Sequence, residues 1–136
     1  MLGTLQSLKH ELRVMRPQGS GAIVNLSSIV GHKALPGAPL YVASKHAVEG
    51  LTKSAALEVA ESGVRVNAVA PGPVETGMLN RFTHDAAGKA GLVSTVPSKR
   101  AGSPEEIADA ILFLSSDGAS FMTGAIVPVD GGMSAV

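Results

Sequence analysis

Cysteine and tryptophan are absent from the 136 residues. Without a thiol there is no disulfide and no thiolate metal site. That fits a reducing compartment, and a cytoplasmic protein is the expectation. Aromatic residues make up 3 %, one tyrosine and three phenylalanines. Charge is scarce too: 16 % of residues carry it, 11 basic against 11 acidic, for a formal net charge of zero. No basic run stands out, which argues against nucleic acid or an anionic membrane as partner. No apolar run reaches the roughly 18 residues of a membrane span. Lys9, Glu11 and Arg13 interrupt the N-terminal segment where a secretory signal would be apolar. The four histidines, His10, His32, His46 and His84, lack ligand spacing and read as surface or loop residues, so no metal site is expected.

What the chain has in quantity is small and apolar residues: 45 % hydrophobic, with 16 glycines. That is enough to bury one core and predicts a single domain over residues 1–136. Two element types alternate along it. Leu5, Leu8, Leu12 and Met15 recur at helical spacing, and this helix closes at Pro17 and the turn of residues 19–21. "AIVNLSS", 22–28, is short, branched and flanked by turn signals, which makes it a buried strand. Residues 29–38 read as loop. A small-residue helix follows from about Pro39 to Glu61, with Gly63 placed to end it. "VRVNAVAPG", 64–72, is a second buried strand. Residues 73–99 carry Gly77, Gly88, Gly91 and Pro97 and read as a short helix with a mobile loop. Ser103, Pro104 and Glu106 form a capping box that opens another helix. "AIVPVDGG", 125–132, is the third strand, and Pro128 favours an edge or a strand end. This order predicts an α/β fold of parallel strands joined by crossover helices.

Tyr41, the one tyrosine, precedes Lys45 by four residues on the long helix, so both lie on one face. A phenol ordinarily holds its proton well above neutral pH, and a nearby cation favours the phenolate. A phenol so placed can give a proton to a carbonyl being reduced or take one from an alcohol being oxidised. Ser28 ends the first strand, where α/β sheets place ligands, and its hydroxyl can hydrogen-bond a substrate oxygen. On the pair alone, a surface Tyr–Lys contact is the commoner outcome; Ser28 shifts the balance without deciding it. "PGPVET", 71–76, turns the chain at the end of the second strand. It leaves the Val74 backbone and the Thr76 hydroxyl to meet a polar ligand edge. An ordinary strand-to-loop turn accounts for the hexapeptide equally well.

"AIVNLSSIVG", "YVASK", "VRVNAVAPGPVET" and "RAGSPEEIADAILFLSSDGASFMTGAIVPVDGG" together resemble the short-chain dehydrogenase/reductase family in order, spacing and content. The likeness runs from about Gly21 to the end, and more loosely through the first helix. It implies a partial doubly wound, Rossmann-like parallel sheet of three strands with flanking helices, the C-terminal half of a dinucleotide-binding domain. It also implies hydride transfer between NAD or NADP and a small-molecule carbonyl or alcohol. In that likeness Tyr41 is the general acid/base, Lys45 tunes it and holds the nicotinamide ribose, and Ser28 orients the substrate oxygen. Pro71, Gly72, Val74 and Thr76 correspond to the segment that meets the nicotinamide carboxamide. A homo-oligomer is expected as well. The apolar positions 5, 8, 12 and 15 offer a seam for a partner helix, and Ala43, Ala47, Ala55 and Ala56 permit close packing.

The family's glycine-rich turn, its residue that separates NAD from NADP, and its Asn-Ala-Gly block do not occur in these residues. By the run "LKHEL" the family's catalytic Asn falls just before Met1. Three readings stay open: a fragment of a full dehydrogenase, a short non-catalytic self-association or interaction module, or a chain completed by a partner. The 136 residues alone are expected to bind cofactor no better than roughly millimolar, because the pyrophosphate cradle supplies most of a dinucleotide's anchoring.

Overall fold

The computed structural model describes residues 1–135 and sets the three apolar runs side by side. They are β1 (Gly21–Leu26), β2 (Val64–Pro71) and β3 (Ile126–Val129), all parallel, in the order β1-β2-β3. Leu26 lies opposite Val69, and Pro71 opposite Val129, so the carboxyl ends of all three strands meet at one edge.

Side chains alternate across a strand, and the two faces of β2 are filled accordingly. Val64 and Val66 enter a core with Leu8 of α1 (Leu2–Gln18), Ile23, and Ala55, Ala56 and Val59 of α2 (Pro39–Val59). Val69 enters the opposite core with Ile107 and Leu114 of α5 (Pro104–Ser115) and Ala119. The odd-numbered face also carries polar side chains with dedicated partners. Arg65 donates to the carbonyls of Leu114 and Ser116, closing the end of α5. Asn67, 1 % exposed, donates to the Met122 carbonyl and accepts from the Ala125 amide, which ties β2 to the approach of β3. With helices on both faces, the expected α/β arrangement of three parallel strands and flanking helices is what the chain adopts.

The boundaries shift for local reasons. α1 runs one residue past Pro17, because a proline in the last turn forfeits a single ladder bond. It closes at Gly19, whose φ of 74° lets its amide reach the Met15 and Arg16 carbonyls. β1 stops at Leu26, and Ser28 lies beyond it as the cap of a 3-10 turn over Ile29–Gly31. β3 is shorter than expected, since the chain turns at Gly131 and Gly132, both at positive φ. Pro128 sits exposed on this edge strand, where a missing amide costs least.

Two expectations are corrected outright. The segment 73–99 is not a short helix with a loop. It holds two helices, α3 (Gly77–Thr83) and α4 (Ala86–Thr95), each started by a side-chain cap: Thr76 accepts from Leu79 and Asp85 from Gly88. The glycines obscured helices that the caps sustain. The seam on α1 is also used differently. Leu8, Leu12 and Met15 pack into the chain's own core, because β1 and α2 lie beneath them. Leu5 stays exposed, beside Met1 and Leu2.

Candidate active site

The fourfold spacing of Tyr41, Lys45 and Glu49, with Thr52 three further on, places all four on one face of α2. That face meets the carboxyl end of β1. Thr52, fully buried, accepts from the Asn25 side chain at 2.9 Å. The Lys45 ammonium donates to the Leu26 carbonyl at 2.9 Å. Glu49, 5 % exposed, accepts from the Ser27 hydroxyl at 3.0 Å. Successive turns of the helix thus grip three consecutive residues, and Ser28 is the next one along.

Lys45 is the pivot of this arrangement. Its Nζ lies 5.6 Å from the centroid of the Tyr41 ring, within cation–π reach. Partial burial pushes its pKa below the ordinary lysine value. One of its three N–H donors is used by Leu26, which leaves two. Tyr41 itself is 40 % exposed, at the open end of the stripe. Ser28 is extended (φ −169°, ψ 161°), and its Oγ accepts from the Val30 amide at 3.4 Å. The Ser28 proton is left to donate to a ligand oxygen.

The 71–76 turn stands at the same edge of the sheet, at the end of β2. Gly72 donates to the Val129 carbonyl, and a Cβ there would lie 2.9 Å from the Asp130 Cα; close backbone approach explains this glycine. Val74 forms a parallel bridge with Gly102, made by the Gly102 amide on Pro73 and the Glu75 amide on Gly102. In that pattern the Val74 N–H and C=O face away from Gly102. The Thr76 hydroxyl is not free as expected. It donates to the Val74 carbonyl and caps α3. Asp130 closes the neighbouring C-terminal turn by accepting from the Gly132 and Ser134 amides. Burial works against its charge, but these bonds and Lys33 outweigh it and hold the carboxyl below its usual range.

Lys45 stands beside the Tyr41 ring, and Ser28 follows the residues that α2 holds; sequence reasoning singled out these three and missed the side chains behind them. It passed over Glu49 and Thr52, although Glu49 continues the four-residue spacing and Thr52 follows at three on the same face. It took His32 for a surface or loop residue. His32 is exposed, yet its Nδ1 lies 3.2 Å from the buried Glu49 carboxyl. Among the described residues no group of three or more His, Asp or Glu side chains could hold a metal ion, and no helix is long and apolar enough to cross a membrane.

A family model described as enoyl-(acyl carrier protein) reductase matches residues 1–134. The chain is 49 % identical over 128 residues to cis-4-hydroxycyclohexanecarboxylate dehydrogenase of Sinomonas cyclohexanicum, covering 94 % of this chain and 51 % of that protein. It is 47 % identical over 119 residues to 3-oxoacyl-(acyl-carrier-protein) reductase FabG of Thermotoga maritima, covering 88 % and 48 %. The solved structure "ElxO with NADP Bound" superposes with a TM-score of 0.91 at 38 % identity, over all of this chain and 55 % of that one. The chain spans about half the length of the relatives it matches. Fold, sequence identity and family model agree, and the chain belongs to the short-chain dehydrogenase/reductase family.

Proposed function

We propose that these residues supply the proton-transfer half of an NAD(P)-dependent carbonyl/alcohol oxidoreductase site, as the C-terminal half of a dinucleotide-binding domain. One observation carries the reading: Lys45, anchored on the Leu26 carbonyl at the end of the strand that leads to Ser28, holds its ammonium beside the Tyr41 ring. Tyr41 is the general acid/base. It gives its proton to the substrate oxygen on reduction and takes it back on oxidation. Lys45 sets positive charge beside the ring that must carry negative charge once the proton has left. Ser28 donates to the substrate oxygen and fixes its position.

The residues present fit a nicotinamide nucleotide. Two N–H donors of Lys45 remain for ribose hydroxyls, and the Val74 amide facing away from Gly102 suits a carboxamide. Pro71 and Gly72 shape the turn that carries it. Thr76 contributes by holding that turn onto α3 rather than through a free hydroxyl. When bound, the nicotinamide supplies or accepts the hydride. Relatives named for a hydroxycyclohexanecarboxylate, a cyclohexanol and a 3-oxoacyl-(acyl-carrier-protein) differ in substrate and agree in being dehydrogenases or reductases of a carbonyl/alcohol pair. A small carbonyl or alcohol is therefore the substrate class for the assembled enzyme, in the cytoplasm.

The test is turnover of a ketone panel with NADH and NADPH by the enzyme that contains this chain, against Tyr41→Phe. A loss of about 10²–10⁴-fold with cofactor binding intact is expected; retained turnover removes Tyr41 from its role. The second reading, a non-catalytic self-association module, rests on the outer edge of β1. It is unpaired among the described residues and lies beside a groove of about 420 Å³ between α1 and the strand. A homo-oligomer is common to both readings, with the exposed Met1, Leu2 and Leu5 beside Gly50 and Leu51 as the contact. A monodisperse monomer at tens of micromolar in sedimentation overturns it.

A further inference from the structure

Glu49 is a carboxyl group with almost no access to water, and the proton-transfer scheme above does not use it. Its Oε1 accepts from the Ser27 hydroxyl at 3.0 Å and from His32 Nδ1–H at 3.2 Å. Those two donors stand on either side of Ser28 and its 3-10 turn. Burying a carboxyl group is unfavourable unless hydrogen bonds compensate, so this one is held by the segment it holds. Gly31 closes the arrangement. A Cβ at that position would lie 2.1 Å from Glu49 Oε1 and 2.6 Å from Ser27 Oγ. No side chain fits between the carboxyl group and the turn.

We propose that Glu49 is a positioning residue: with Ser27 and His32 it clamps segment 27–32 onto α2 and thereby fixes Ser28 relative to Tyr41 and Lys45. The inference rests on the catalytic reading given above for its consequence in rate, but not for the clamp itself. The helix supplies the alignment. Glu49 is one turn from Lys45, which is one turn from Tyr41, so the group that holds Ser28 and the group that moves the proton share one rigid element. The clamp reaches the substrate oxygen only through Ser28, and among the described residues its hydrogen bonds involve none of 71–76.

The test compares Glu49→Leu, Glu49→Gln and Gly31→Ala in the full chain by amide hydrogen exchange and, in the active enzyme, by kinetics. In Glu49→Leu, exchange in peptides covering 27–32 accelerates by about tenfold or more while the β2 peptide 64–71 is unchanged. The rate constant kcat falls by up to about a hundredfold, the scale of a displaced reacting group, while the cofactor KM stays within about twofold. Glu49→Gln, which keeps an oxygen acceptor for both donors, restores slow exchange and most of the rate. Gly31→Ala, which must push the carboxyl group aside, reproduces the Leu variant and decides the question where Glu49→Leu does not fold. Unchanged exchange at 27–32 in the Leu and Ala variants, or a Gln variant as damaged as Leu, overturns the clamp. A native enzyme without turnover counts against the catalytic reading instead, and exchange alone then decides the role of Glu49.

Discussion

The helix α2 and the pair α3–α4 border the same end of the sheet and are held there by opposite means. α2 buries Val48, Glu49, Thr52, Ala55, Ala56 and Val59, and its polar members are each hydrogen-bonded to β1 or the residues after it. α3 buries only Leu79, and α4 buries nothing. Their further ties are the partly exposed Lys89–Glu75 ion pair and, beyond α4, the buried Val96, the Ser98 amide on the Gly131 carbonyl, and the Arg100–Glu106 pair beside the Val74–Gly102 bridge. Local stability follows buried contacts. The residues proposed for proton transfer therefore stand on the opening turns of a helix whose later turns are anchored by burial. The pair α3–α4 stands on a part that opens at lower cost.

The comparison is broken most severely at Lys45. In the active enzyme, Lys45→Met is expected to lower both cofactor affinity and rate, each by roughly tenfold or more, because in the proposed scheme one ammonium serves the ribose and the phenol. Steady-state kinetics with a cofactor titration checks it, and a defect in rate alone removes the ribose contact. Next is Thr52→Val, nearly isosteric and fully buried. It leaves the Asn25 amide group without its acceptor and should cost about 1–3 kcal/mol in urea unfolding. A neutral result would show that the stripe on α2 is not what fixes β1.

On the other side, Glu75→Gln breaks the Lys89 pair, in which both side chains are partly exposed. Stability should change by no more than about 1 kcal/mol, while proteolysis within 84–95 becomes faster. Equal loss of stability from Glu75→Gln and Thr52→Val would erase the contrast between the two regions. The smallest effect is expected from acid. Hydrogen bonds from Arg100 and then from the Ser103 amide hold the Glu106 carboxyl down at about 2. A carboxyl with a depressed folded pKa contributes fully above its unfolded value near 4.5 and loses that contribution as pH falls toward about 2. Backbone amide shifts of Ser103 and Glu106 should titrate across that window, while those of Val66 and Val69 stay fixed. A midpoint near 4.5 would show that the Arg100 pair does not form in solution.

Much of this was legible from local pattern. The capping box at Ser103–Glu106 and the αL glycine at Gly63 are set by bonds within a few residues, and the structure has both. The helix α4 was not legible, since Gly88 and Gly91 argue against a helix and only the Asp85 cap argues for one. The site divides in the same way. The spacing of Tyr41 and Lys45 is a property of one helix, and a sequence displays it directly. That Thr76 uses its own hydroxyl as a cap was in principle readable, because Leu79 lies three residues on.

The sequence by itself determined the alternation of buried strands and helices, and with it a parallel sheet whose carboxyl ends carry Ser28 and the 71–76 turn. Periodicity and turn chemistry are local, and they act before the chain has folded. Only the tertiary structure decided which groups stand behind those residues. Leu8, Leu12 and Met15 face inward because β1 and α2 lie beneath them, and no pattern within α1 says so. Lys45 reaches the Leu26 carbonyl, and Glu49 reaches Ser27 and His32, across 17 to 22 residues of chain. Such contacts exist only once the parallel crossover has brought α2 against the end of β1, and burial then makes the Ser27–Glu49 bond obligatory.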